Sequence, residues 1–200
     1  KAFDALVNKF KSDDQSPLQS VEKPVERHEL QLEERMDEEI DVKGFQDDWE
    51  NLQDTHNFYG LLKKYSITRT QALRLAPSEY YAKPIAKEAI ITMLETAASK
   101  QIPIMVFVGN KGNIQIHTGE IKKTMWHENW YNILDPDFNM HLDMTKVAQT
   151  WIVRKPTEDG EVTSIEVFNE MGEIIVQFFG KRKPGIPELT SWKELIASLA

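Results

Sequence analysis

Apolar residues recur along this chain with two different periods. In the first hundred residues the steps are three and four, the period of one helix face. Phe3, Leu6, Val7 and Phe10 predict a short helix over residues 2–10. Phe45, Trp49, Leu52, His56 and Tyr59 step by four, three, four and three, which predicts one long helix over residues 45–65 with all of them on its inward face. Ser66 or Thr68 then offers an N-cap for a second short helix reaching Leu75, and Pro77 stops it. Ile85, Ala89, Met93 and Ala97 predict a third helix over residues 85–100. From Ile102 the period becomes two. "PIMVFVGNKGNIQIHTG" reads as a hairpin, "NWYNILDPDFNMHL" as two strands around an Asp-Pro turn, and residues 150–182 as three strands joined by "PTEDG" and "NEMG". A closing helix carries Trp192, Leu195, Ile196 and Leu199 inward, capped by Thr190 or Ser191. Helices first, short antiparallel strands next and a helix last describe an α+β fold, with helices packed on an antiparallel sheet.

Between the first helix and the long one, residues 12–44 carry two prolines, many charges and few aromatics. They read as a solvated acidic linker, with a helix possible within residues 29–39. "AFDALVNKF" near the start echoes "SWKELIASL" near the end, which suggests that the chain opens on the closing helix of a preceding repeat.

Charge sharpens this division. The net charge is −8, and residues 22–50 alone hold twelve acids against four bases; the remainder balances at twenty against twenty. That balance argues against nucleic acid as a partner, because phosphate binding needs a basic surface. There is no cysteine, so disulfides and thiolate metal sites are excluded. No apolar run approaches the roughly 18–20 residues of a membrane-spanning helix. No signal peptide is visible, and the start lacks Met, which suggests a fragment or a processed chain.

Motifs for common chemistries are absent: no H-E-x-x-H, G-x-S-x-G, Walker or G-x-G-x-x-G pattern occurs. "GNKGN" reads as a hairpin turn and "DPD" as a turn before a strand. Of the histidines, His28 and His127 fall in polar segments, and His117 and His141 alternate with apolar residues as half-buried strand positions. His56 differs because it lies on the helix stripe. Spacing alone favours a hydrogen-bonded core histidine there over a ligand. A single histidine cannot hold free zinc, which takes about three or four protein ligands. It can hold heme iron, because the porphyrin supplies the other nitrogens. Apolar walls and cations for such a group exist in Phe107, Phe179, Arg69 and Arg182.

The segments "LQDTHNFYGLLKKYSITRTQALRLA", "IMVFVGNKGNIQIHTG", "NILDPDFNMHL", "WIVRKPTEDGEVTSIEVF" and "FFGKRKPG" resemble the C-terminal half of the HemS/ChuS/HmuS family, cytoplasmic hemin-utilisation proteins of Gram-negative bacteria. They cover most of residues 42–200. The family has two homologous halves. The resemblance therefore implies that residues 1–44 are the end of a preceding repeat plus an acidic linker, and that residues 45–200 are one heme-binding repeat. In the family, the histidine matching His56 is the proximal ligand to the iron of heme (iron protoporphyrin IX). The residues matching Arg69, Phe107, Gln177 and Arg182 lie at the heme, and Phe179 stands where the family has tyrosine, which loses one hydroxyl. The family's distal arginine comes from the first half.

The resemblance implies a cytoplasmic heme carrier of bacterial iron acquisition. Its partners would be heme, the missing N-terminal repeat, and a heme-uptake transporter or downstream heme acceptor. One alternative is a heme-degrading oxygenase; another is a structural repeat that needs its partner half.

Overall fold

The structure is a computed structural model that describes residues 1–17, 34–110, 112–183 and 185–199. Two compact units divide the chain, Lys1–Gln31 and Leu32–Ala200. The first contains helix α1 (Ala2–Phe10), which forms at the predicted place and has no buried residue. His28, and residues 29–33 of the helix considered in the linker, lie outside the described residues. Of the rest, Asp37–Glu39 make a single 3₁₀ turn.

The second unit contains α2 (Val42–Glu50), α3 (Asn57–Tyr65), α4 (Arg69–Arg74), β1 (Ala82–Ile85), α5 (Ala89–Ser99), β2 (Ile104–Gly109), β3 (Ile114–Gly119), β4 (Thr124–His127), β5 (Trp130–Leu134), β6 (Asn139–Asp143), β7 (Gln149–Lys155), β8 (Val162–Phe168), β9 (Ile174–Gly180) and α6 (Thr190–Ala197). The α+β class holds, but the strands form two sheets rather than one. A six-stranded sheet runs β1-β7-β8-β9-β2-β3 and a three-stranded sheet runs β4-β5-β6. Every pairing is antiparallel. Strands β1 and β4 were missed by periodicity; each has only four residues, and β1 contains Pro84. Proline is tolerated in β1 because that strand lies at the sheet edge, paired to β7 alone.

Alternation along the strands splits the interior into two cores. Ile104, Val106, Ile152, Ile165, Val176 and Phe178 face one way and pack with α5, α6 and the small sheet. Trp151, Val153 and Phe168 face the other way and pack under α2, α3 and α4. The predicted cap at Thr68 is present: its side chain accepts the Gln71 amide at 3.0 Å. Ser66 instead ends α3 in the left-handed conformation. At the end of the chain Leu189 occupies the N-cap position of α6, rather than Thr190 or Ser191.

The predicted single helix over residues 45–65 is overturned. It breaks into α2 and α3, with a turn at residues 51–56. Phe45, Trp49 and Leu52 are buried as expected, but Tyr59 is 63% exposed. After the break the buried positions are Phe58, Leu61 and Leu62, a new phase of the same period. His56 consequently leaves the inward face, and its side chain is 91% exposed.

Candidate functional site

Cross-strand register aligns Trp151, Glu166, Gln177, Phe107 and Ile116 in one row of the large sheet. The adjacent row holds Val153, Ser164, Phe179, Met105 and Thr118 on the same face. The β7 end of both rows lies in the core under the helices. The β3 end does not: Ile114 and Ile116 are 57% and 50% exposed. The helices therefore cover only part of this face and leave an apolar floor at β9, β2 and β3.

A cavity of about 360 Å³ opens over that floor, within the roughly 300–1,000 Å³ range of small-molecule sites. Met105, Phe107, Val162 and Phe179 form its apolar lining, while Asp54, His56, Asp159 and Arg182 bring polar groups to it. The Phe107 and Phe179 rings lie 5.0 Å apart, centroid to centroid, inclined at 49°. Hydrogen bonds from backbone amides hold the rim together. The Glu158 amide donates to the Gln53 carbonyl at 3.1 Å, tying the β7–β8 turn to the α2–α3 turn. The Gly185 amide donates to Asp159 Oδ2 at 2.7 Å, tying that same turn to the segment after β9.

His56 is placed by its neighbours. Phe58, two residues on, is buried against Trp49 with ring centroids 4.7 Å apart. Asp54 Oδ1 accepts the His56 main-chain amide at 2.8 Å and ring Nδ1 at 2.6 Å. These two bonds, backbone first, hold the Asp54 carboxyl below its usual range. Arg182 makes no ion pair or hydrogen bond with the described residues.

Of the sequence-predicted site residues, His56, Phe107, Phe179 and Arg182 line the cavity together. Arg69 and Gln177 do not line it. Gln177 sits half-buried between Glu166 and Phe107 in the same row. Arg69 opens α4, and its Nε and Nη2 each donate to the buried Glu166 carboxylate at 2.7 Å. Lys155 Nζ donates to the same carboxylate at 2.7 Å, so one acid faces two cations. Burial alone would raise the Glu166 carboxyl, but Arg69 and Lys155 outweigh burial and hold it well below the carboxylate range. Burial pushes the Lys155 ammonium down to about 8, against the opposing pull of Glu166. Both cations lie over the Phe58 ring, at 5.1 and 4.7 Å from its centroid.

The sequence reading missed Asp54, Lys155 and Glu166. Glu166 had a visible signal: a carboxylate inside the apolar run "VTSIEVF" needs a buried cation nearby. The other described histidines do not line the cavity. His117 is half-buried and stacked on Phe138 at 3.8 Å. His141, expected half-buried, is exposed, and its Nδ1 pairs with Asn132 Oδ1 at 2.6 Å. His127 is exposed at the end of β4.

Among the described residues, no group of three or more His, Cys, Asp or Glu could hold a bare metal ion. The cavity instead offers one imidazole and one guanidinium, His56 Nε2 and Arg182 having no hydrogen-bond partner among the described residues, over an aromatic floor. That donor set suits a flat apolar group that brings most of its metal's ligands with it. Heme fits this description.

These features define an α+β domain with an open apolar cleft and one imidazole presented to its occupant. The chain belongs to the haemin-degrading HemS.ChuX domain family, which matches residues 66–199. It is 37% identical over 198 residues to the hemin transport protein HemS of Yersinia enterocolitica, covering 99% of this chain and 55% of that protein. It therefore spans about half the length of that relative. The structure of holo-PhuS, a heme-binding protein from Pseudomonas aeruginosa, superposes with a TM-score of 0.88 at 43% identity, covering 100% of this chain and 56% of that one. The structure of ChuS, an E. coli heme oxygenase, superposes with a TM-score of 0.82 at 35% identity, covering 99% of this chain and 56% of that one.

Proposed function

We propose that this chain is a heme-binding half of a bacterial hemin-utilisation protein, with His56 as the iron ligand. The observation that carries the reading is the cavity itself, which brings together the His56 imidazole, the Phe107 and Phe179 rings and Arg182. Neutral His56 donates through Nε2. Phe107 and Phe179 form the apolar floor, and Arg182 offers a charge partner for an acidic substituent at the rim. Arg69 and Gln177 act from beside the floor, Arg69 through the Glu166 cluster. Bound heme supplies the iron and its redox chemistry; the protein supplies position, polarity and access. The protein works in the cytoplasm, receiving heme from an uptake transporter and passing it to an acceptor. Residues 1–44 are the end of a preceding repeat and a linker. That repeat completes the far side of the pocket.

Hemin titration followed by absorbance tests the ligand. His56→Ala should weaken binding by about tenfold or more, roughly 1.4 kcal/mol or above, and move the Soret band. An unchanged spectrum and affinity would sink the assignment.

The family's haemin-degrading description and the likeness to ChuS favour a second reading, oxidative opening of the porphyrin. Hemin-loaded protein given ascorbate and oxygen, with catalase present, separates the two. Loss of the Soret band with iron release supports degradation; transfer of intact heme to an acceptor supports carriage. A third reading, a structural repeat, follows from the half-length match. It predicts binding only when the preceding repeat is added.

A further inference from the structure

The turn ahead of α3 holds an arrangement that iron ligation by His56 does not itself require. One oxygen, Asp54 Oδ1, accepts both the main-chain amide and ring Nδ1 of His56, at 2.8 and 2.6 Å. A carboxylate only accepts, so Nδ1 is the protonated ring nitrogen. The lone pair of the neutral ring then lies on Nε2, the atom with no hydrogen-bond partner among the described residues. The backbone bond fixes where the ring starts, and the ring bond fixes where it points. The turn is closed further by the Asn57 amide on the Asp54 carbonyl at 3.1 Å and the Phe58 amide on the Thr55 carbonyl at 3.2 Å.

Asp54 does not occupy the N-cap position of α3; His56 does, with no side-chain cap bond. Its carboxylate is therefore spent on the ring and on a local turn. Asparagine closes such a turn equally well. What asparagine cannot supply is the negative charge beside the imidazole.

We infer that Asp54 is a positioning residue: it holds His56 as the Nδ1–H form with Nε2 turned into the cavity, and its charge makes that nitrogen a stronger donor to ferric than to ferrous iron. The second half of this inference rests on the heme reading; the first does not. Both side chains are solvent-exposed, at 91% and 57%, so the pair contributes little to folding. A ligand seated over His56 would exclude water from the pair and strengthen it. Groups that hydrogen-bond a metal-bound histidine typically alter metal affinity by about 10–100-fold.

The test uses the whole protein with Asp54→Asn, Asp54→Ala and His56→Ala. In hemin-free protein at pH 8, nitrogen-15 NMR of the imidazole should show His56 as Nδ1–H, and Asp54→Ala should move it toward Nε2–H. A wild-type ring already in the Nε2–H form overturns the positioning role. In hemin-loaded protein, Asp54→Asn should lower ferric affinity at least about tenfold more than ferrous affinity. That difference raises the midpoint potential by about 59 mV for each tenfold change. An unchanged potential, with the turn intact, overturns the charge effect and leaves Asp54 a turn former. If His56→Ala binds hemin with the wild-type spectrum and affinity, the assignment of His56 as iron ligand fails and takes the redox half with it, while the NMR result still decides the positioning half.

Discussion

At the scale of single residues, Glu166 stands out as a charge buried away from the cavity. It is fully buried, and Arg69 and Lys155 both contact it. A buried carboxylate survives only with compensating charge, and two cations with one acid leave a surplus positive charge under Phe58. Removing the acid would leave those cations facing each other in a low-dielectric interior. Glu166→Gln should therefore destabilise the fold by about 3–5 kcal/mol, measured by urea denaturation at neutral pH. Its sign with pH follows from the lowered carboxyl: the stabilisation is present above the ordinary glutamate range and is lost as acid protonates the folded form. A loss below about 1 kcal/mol, the level of a surface pair, would show that the cluster is not electrostatically strained.

Elements show which parts of this fold were legible in the chain. Most of the strand run from Ile102 was legible because alternation there is clean and the hairpin turns at residues 110–113, 135–137, 156–160 and 169–172 carry Gly, Asn or Asp; the links at 120–123 and 144–148 carry none, and β4, next to the first of them, was missed. The break between α2 and α3 was not. No proline or glycine marks it, and the apolar steps continue across it by coincidence through His56 and Tyr59. The competing signal was the polar run Gln53, Asp54 and Thr55, followed by Phe58, Leu61 and Leu62 in a fresh phase. Tertiary burial of Phe58 against Trp49 outweighs helical continuity. The same break decided the site. Periodicity alone made His56 a core residue, and the family resemblance, rather than spacing, nominated it as a ligand. Asp54 escaped notice because its role depends on a turn that the helix reading erased. A second element-level constraint lies where α6 meets β9. A Cβ on Gly180 would fall 2.5 Å from Trp192 Cγ and 2.8 Å from Trp192 Cβ. Trp192 is fully buried and its Nε1 donates to the Thr163 carbonyl at 3.0 Å, so it has little room to retreat. Gly180→Ala should cost about 1–3 kcal/mol by overpacking, read from the denaturation midpoint. Hemin affinity should change far less, because Gly180 does not line the cavity.

For the second unit as a whole, the architecture trades coverage for access. One face of the large sheet is packed by α5, α6 and the small sheet over most of its width. The other is roofed by α2, α3 and α4 over only part of its width. The packed face must then carry much of the stability; Trp192, Leu195 and Ile196 of α6 are buried in its core, and the backbone of Thr163 binds both α6 and the segment just before it. The Thr163 amide donates to Glu188 Oε1 at 2.9 Å, while the Thr163 carbonyl accepts from Trp192. Glu188 is only 6% exposed, and its Oε2 is buried with no hydrogen-bond partner among the described residues. Burial pushes its carboxyl above the usual glutamate value, against the Thr163 amide, which pulls the other way. The folded state thus binds a proton more readily than the unfolded chain. This group's contribution is most favourable below the ordinary glutamate range and is lost as pH rises through the elevated folded value. Glu188→Gln removes the titration while keeping an oxygen for the Thr163 amide. The stability of the variant relative to wild type should therefore increase from acid toward neutral pH, measured by urea midpoints across pH 4–8. Parallel curves for the two proteins would mean that the folded carboxyl titrates as it does in the unfolded chain, and that α6 is held without a strained acid.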